Sequence, residues 1–114
     1  MKIAVIGSRE FDNPTFLSEV LGKYALDISM LISGGCIGAD KMAEQWARDR
    51  NIPIQIFKPE WTKYGKSAGI IRNRTIIENC DLCIAFWDGK SKGTASGIRI
   101  CKEMKKECKV FYAY

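Results

Sequence analysis

Met30-Leu31-Ile32-Ser33-Gly34-Gly35-Cys36-Ile37-Gly38-Ala39-Asp40 decides how this chain folds. An apolar run enters a glycine turn, after which Ala39, Met42, Ala43, Trp46 and Ala47 recur at i, i+3, i+4, i+7 and i+8. That pattern is strand, glycine turn, helix. In an open α/β sheet such a junction presents bare backbone N–H groups and the positive end of a helix at the carboxyl edge of the sheet, where an anion binds. Glycine there lets backbone approach a ligand closely.

Working outward, Lys2 to Ile6 is almost wholly apolar, as a central parallel strand covered on both faces should be. It runs into Gly7-Ser8-Arg9. Asn13 followed by Pro14 marks a helix start, and Leu17, Val20, Leu21 and Tyr24 give its buried stripe. The second strand is Ser29 to Ser33, and the helix beyond it runs from about Gly38 to Asp49, with Asn51 as its end. Pro53 to Phe57 is a third strand. Lys58 to Lys66 shows neither period and is expected to be a long loop of the kind that often carries function. A helix follows from Ser67 or Ala68 to Asn79, then a fourth strand from Leu82 to Phe86. A last helix is expected over about Thr94 to Glu107, with Ile98, Cys101, Met104 and Cys108 inward, and Lys109 to Tyr112 closes as a fifth strand. Strand and helix alternate strictly, so the strands are parallel and joined by right-handed crossovers. The expected class is α/β: a three-layer Rossmann-like parallel sheet of about five strands with helices on both faces.

The 114 residues, 46% of them hydrophobic, suit a single domain over 1–114. No apolar run approaches the ~20 residues of a membrane helix, and the apolar start is too short for a signal peptide. A cytoplasmic protein with no membrane partner is expected. Five cysteines, an odd number, fit buried thiols in a reducing compartment. Cys80 and Cys83 have the spacing of a metal or redox pair, but no second such pair and no histidine accompany them. Neither a metal nor a cofactor is expected.

The net charge of +5 is uneven, with the first 57 residues near balance and the cations gathered in the second half. Such a surplus suits nucleic acid, a nucleotide or simple solubility.

Ligands of this architecture bind outside the carboxyl ends of the strands, where strand order reverses. Four loops should meet there: Gly7 to Arg9, Ser33 to Asp40, Lys58 to Lys66 and Trp87 to Thr94. Arg9 either clasps a phosphate or carboxylate with its fork of donors or pairs with Glu10 or Asp12 on the surface. Asp40 either stabilises its helix dipole or accepts from ribose hydroxyls or acts as a base. Ser33 and Thr94 either donate to phosphate oxygens or cap strand and helix ends. Trp61 and Tyr64 either stack on a base or anchor the loop. Lys66, Arg72 and Arg74 flank a helix start, where cations oppose the dipole and point to an anion, although Arg74 has Glu78 at i+4. Gly89 and Gly93 form a second glycine-rich turn before a helix. Neither turn is GxGxxG or GxxxxGK[ST], which disfavours NAD and ATP hydrolysis.

Gly7-Ser8-Arg9, Ser33-Gly34-Gly35 with Gly38-Ala39-Asp40, Trp61 with Tyr64-Gly65-Lys66, Ile71-Arg72-Asn73-Arg74, and Ala85 to Gly89 with Gly93-Thr94 resemble the YspA-like, YpsA-related branch of the SLOG superfamily. That superfamily has a Rossmann-like fold and includes LOG phosphoribohydrolases, the DNA-processing protein DprA and nucleotide-sensing modules. The resemblance implies a nucleotide-type ligand. The candidate contacts are Gly7, Ser8, Arg9, Ser33, Gly34, Gly35, Gly38, Ala39, Asp40, Lys66, Arg72, Asn73, Asp88, Gly89, Gly93 and Thr94. It also implies a homodimer, since the resembling enzymes pair subunits. LOG enzymes carry a catalytic glutamate three residues after the threonine of their glycine-threonine pair; here that position is Gly97. The expectation is therefore a binding or sensing module. The alternatives are a LOG-like nucleoside-phosphate hydrolase or transferase using Asp40 or Asp88, and a binder of single-stranded nucleic acid related to DprA.

Overall fold

The structure, a computed structural model, describes residues 1–112. Five parallel strands, β1 (Lys2–Gly7), β2 (Met30–Ser33), β3 (Ile54–Ile56), β4 (Leu82–Trp87) and β5 (Glu107–Tyr112), form one sheet in the order β3-β2-β1-β4-β5. The expected Rossmann-like architecture is present. β1 is central because it is apolar on both sides: Ile3 and Val5 point into one core, Ala4 and Ile6 into the other. Strand order reverses between β1 and β4, which pair from Ile3 opposite Leu82 to Gly7 opposite Phe86.

α1 (Pro14–Gly22) and α2 (Ala39–Asp49) cover one face of the sheet, burying Leu17, Val20, Leu21, Ala43 and Trp46 against Ile3, Val5, Leu31 and Ile84. Phe86 lies among Phe11, Phe16 and Phe111 at centroid distances of 5.0, 5.9 and 6.0 Å. α4 (Ala68–Asn79) and α5 (Lys92–Glu103) cover the other face with Ile76, Ile77, Ile100 and Cys101. Each fully buried aliphatic or aromatic side chain contributes roughly 1.5–3 kcal/mol, so these two cores hold the strand ends in place.

The local signals at the first two helices act as expected. The Asn13 side chain accepts from Phe16 N at 3.0 Å, with Pro14 in the first turn. α2 ends with left-handed Asn51 (φ 56°), where Asn51 N donates to Arg48 O and Ile52 N to Ala47 O.

Three expectations change. Lys58 to Lys66 is not a plain loop: it contains the short helix α3 (Trp61–Tyr64) and runs into a 3-10 turn, Gly65–Ser67. The last helix ends at Glu103 rather than Glu107, and Cys108 sits on β5 rather than on the helix. The stop is the same motif as in α2: Lys105 N donates to Lys102 O and Lys106 N to Cys101 O, with Lys105 at φ 57°. A lysine in that left-handed position carries no glycine or asparagine signal. Finally, Arg74 pairs not with Glu78 but with Glu103 of α5, at 3.4 Å.

Candidate functional site

A cleft of about 520 Å³ opens beyond the carboxyl ends of β1 and β4. That volume falls in the small-molecule range of about 300–1,000 Å³. Its centre is Ser8, almost fully buried, which knots three segments together. Ser8 N donates to Phe86 O at 3.1 Å, its hydroxyl accepts from Asp88 N at 3.3 Å, and its carbonyl accepts from Ala39 N at 3.4 Å. The end of β1, the end of β4 and the start of α2 are thereby fixed relative to one another. Gly38 makes the third contact possible. It sits at φ 84°, and a Cβ there would lie 2.4 Å from Ser8 O.

The Ser33-Gly34-Gly35 turn is held from both sides. Ser33 is fully buried, donates to Glu44 Oε2 at 2.7 Å and accepts from Gly35 N at 3.1 Å. Glu44 is itself fully buried and balanced by Lys41 and Arg48 at 3.4 and 3.6 Å. Arg72 reaches across from α4 and donates to Gly34 O at 2.8 Å, while its Nε donates to Asn73 Oδ1 at 2.9 Å. A side chain on Gly34 would meet the Arg72 guanidinium at 2.6 Å and the Asp40 carboxylate at 3.0 Å. The turn needs glycine because those two groups converge on it.

Asp40 accepts from Cys36 N at 3.1 Å in the first turn of α2. Burial pushes its pKa up to about 6, against the lowering effects of the Cys36 amide and Arg72. A carboxyl poised there can take or give a proton near neutral pH. Asp88 is tuned the opposite way: the Ser91 and Lys90 amides, both at 2.8 Å from Oδ1, hold its pKa below the usual carboxylate value. It organises the turn before α5. Ser91 caps that helix by accepting from Thr94 N, and Asn73 Nδ2 donates to Gly93 O at 3.4 Å. The N-terminal turn of α5 therefore faces the cleft. Arg9, also on the cleft, makes no ion pair or side-chain hydrogen bond among the described residues, so its pairing with Glu10 or Asp12 does not form.

Of the residues singled out in the sequence, Gly7, Ser8, Arg9, Gly34, Asp40, Arg72, Asn73, Asp88, Gly93 and Thr94 line this one cleft. Ser33, Gly35, Gly38, Ala39, Lys66 and Gly89 do not. Ser33 and Ala39 are fully buried behind it, and Lys66 lies on the exposed 3-10 turn. Trp61 and Tyr64 are exposed and stand outside the cleft; Trp61 packs over Gly69 of α4. Cys36, Lys90 and Ser91 line it without having been singled out, as do Ile6, Glu10 and Ile76. Glu44 supports it from behind, and its one sequence signal is its place one turn after Asp40. At Gly97, where the resembling hydrolases carry their glutamate, a Cβ would lie 2.7 Å from Ile6 Cδ1.

A doubly wound parallel sheet with a polar, glycine-walled cleft at its switch point defines a Rossmann-like α/β domain. The chain belongs to the YspA, cpYpsA-related SLOG family, whose model matches residues 1–64. Gene 61 protein of Mycobacterium phage D29 is 29% identical over 110 residues, covering 86% of each chain. Among solved structures, DNA processing protein A from Helicobacter pylori, described for its single-stranded DNA binding mode, superposes with a TM-score of 0.77 at 20% identity. The same protein from Streptococcus pneumoniae does so at 0.80 and 18%, and TM1055 at 0.67 and 18%. These matches cover 96, 96 and 94% of this chain and 64, 49 and 71% of the three others. The likeness is one of fold. No helix among the described residues is long and apolar enough to cross a membrane.

Proposed function

We propose that residues 1–114 act as a single-domain binding module for a nucleotide or nucleotide-derived small molecule. The observation that carries this reading is an unpaired Arg9 on the same cleft as the N-terminal turn of α5. An uncommitted guanidinium beside a helix N-terminus suits a phosphate, which the helix dipole and bare amides also favour. The neighbouring carboxylates, Asp40 and Asp88, suit the hydroxyls of a ribose. Arg72 acts mainly as a strut, since Gly34 O occupies part of its donor fork. Isothermal titration calorimetry against nucleoside mono- and diphosphates, cyclic dinucleotides and ADP-ribose derivatives tests the proposal. Binding that weakens in Arg9→Ala supports it; no heat from any of these ligands at millimolar concentration refutes it.

A second reading, single-stranded DNA, is favoured by the fold shared with DNA processing protein A and by the basic second half of the chain. It requires affinity that falls steeply with salt, because phosphate contacts release counterions. Fluorescence anisotropy with a labelled oligonucleotide separates the two readings. Hydrolysis would need an acid or base in the cleft, and Asp40 is better poised for that than Asp88. Release of free base from nucleoside monophosphates, lost in Asp40→Asn, would make the module an enzyme.

A further inference from the structure

On the opposite face of the β4–β5 pair from the aromatic cluster, three cysteines converge. Cys83 of β4 stands directly across the ladder from Cys108 of β5. Cys101 of α5 packs onto both, and the three sulfurs lie within 4.8 Å of one another. Cys80 stands next to this trio without joining it: its thiol donates to Ile77 O at 3.3 Å, and it interacts electrostatically with Cys101 and Cys108. Sequence spacing singles out Cys80 with Cys83, whereas the fold gives Cys83 two partners from distant segments. All five cysteines are free thiols.

We propose that Cys83, Cys101 and Cys108 form a three-sulfur site for a thiophilic d10 metal ion, best fitted to Cu(I). Thiolates select Cu(I) and Zn(II) among biological metals. Structural Zn(II) sites almost always take four ligands, and among the described residues no fourth histidine, cysteine or carboxylate joins this cluster. A trigonal site with metal–sulfur bonds of about 2.3 Å places its sulfurs about 4 Å apart, so the trio needs only sub-ångström closure. Cys83 and Cys101 are buried, which keeps water from the ion, and half-buried Cys108 gives it a way in. Each thiol that becomes a ligand releases its proton to solvent, and no electron is transferred.

The test uses the full chain, reduced and handled without oxygen, mixed with Cu(I) held by a coloured Cu(I) chelator. One Cu(I) per chain should leave the chelator, with sulfur-to-copper charge-transfer absorption in the near ultraviolet. Cys108→Ser and Cys101→Ser should each abolish the transfer, and Cys36→Ser should not. If circular dichroism shows Cys101→Ser unfolded, Cys108→Ser, at a half-buried position, decides alone. Copper left on the chelator, or copper retained by folded Cys108→Ser, overturns the proposal. So does preferential retention of Zn(II), which would require a fourth donor.

Discussion

Asp40→Asn should make the protein more stable at neutral pH, and the gain should depend on pH in a defined way. The Asp40 carboxyl is raised from 3.8 to about 6 by burial and, to a lesser degree, by the neighbouring Glu44 charge. A shift of about two pKa units corresponds to ~3 kcal/mol at 1.36 kcal/mol per unit. Below pH 4 the group is protonated in both folded and unfolded chains, and it costs nothing. As pH rises from 4 to 6 the unfolded chain gives up this proton while the folded chain retains it, so stability falls. Above about pH 6 the whole penalty of up to ~3 kcal/mol is present. Asparagine does not titrate and its side-chain oxygen can still accept from Cys36 N. Urea denaturation of both proteins at intervals from pH 4 to 7.5 gives the difference in unfolding free energy, in which groups common to both cancel. That difference should grow by up to ~3 kcal/mol across the window and then level off. A difference that stays flat from pH 4 to 7 would refute the burial argument.

Arg9→Ala should leave the melting temperature unchanged, because Arg9 has no partner among the described residues, yet weaken binding of a phosphate-bearing ligand by roughly tenfold or more, the worth of a charge-assisted hydrogen bond; calorimetry reads the affinity. Gly38→Ala should lower stability by at least ~1–2 kcal/mol, since it places a side chain at φ 84° with its Cβ 2.4 Å from Ser8 O; urea titration measures the loss. Lys105→Gly should raise stability by roughly 0.5–1 kcal/mol by relieving a left-handed lysine at the end of α5, seen as a higher denaturation midpoint at constant slope.

The sequence by itself determined the architecture. Apolar runs of strand length, helical periodicity after glycine turns, and the caps at Asn13 and Asn51 are local signals, and strict alternation leaves little choice but a parallel doubly wound sheet. The end of α5 escaped because lysine fills the left-handed position, so nothing in the composition marks the stop. For the cleft, the sequence supplied the loops but not their division of labour. Ser33 and Arg72 both carry donors suited to a ligand; packing turns Ser33 inward onto Glu44 and commits Arg72 to Gly34 O. Lys66 looks like an anion contact from its place before α4, yet the α3 segment carries it outside the cleft. Arg9 is followed in sequence by the acids Glu10 and Asp12, and only the folded loop leaves it without a partner among the described residues. The cysteine trio is the sharpest case. Its members come from β4, α5 and β5, and no spacing links them until the β4–β5 register and the packing of α5 bring their sulfurs together. Local chemistry decides which elements form; which side chains face a common space depends on strand order and on contacts between residues far apart in the chain. Those are fixed only by the tertiary structure.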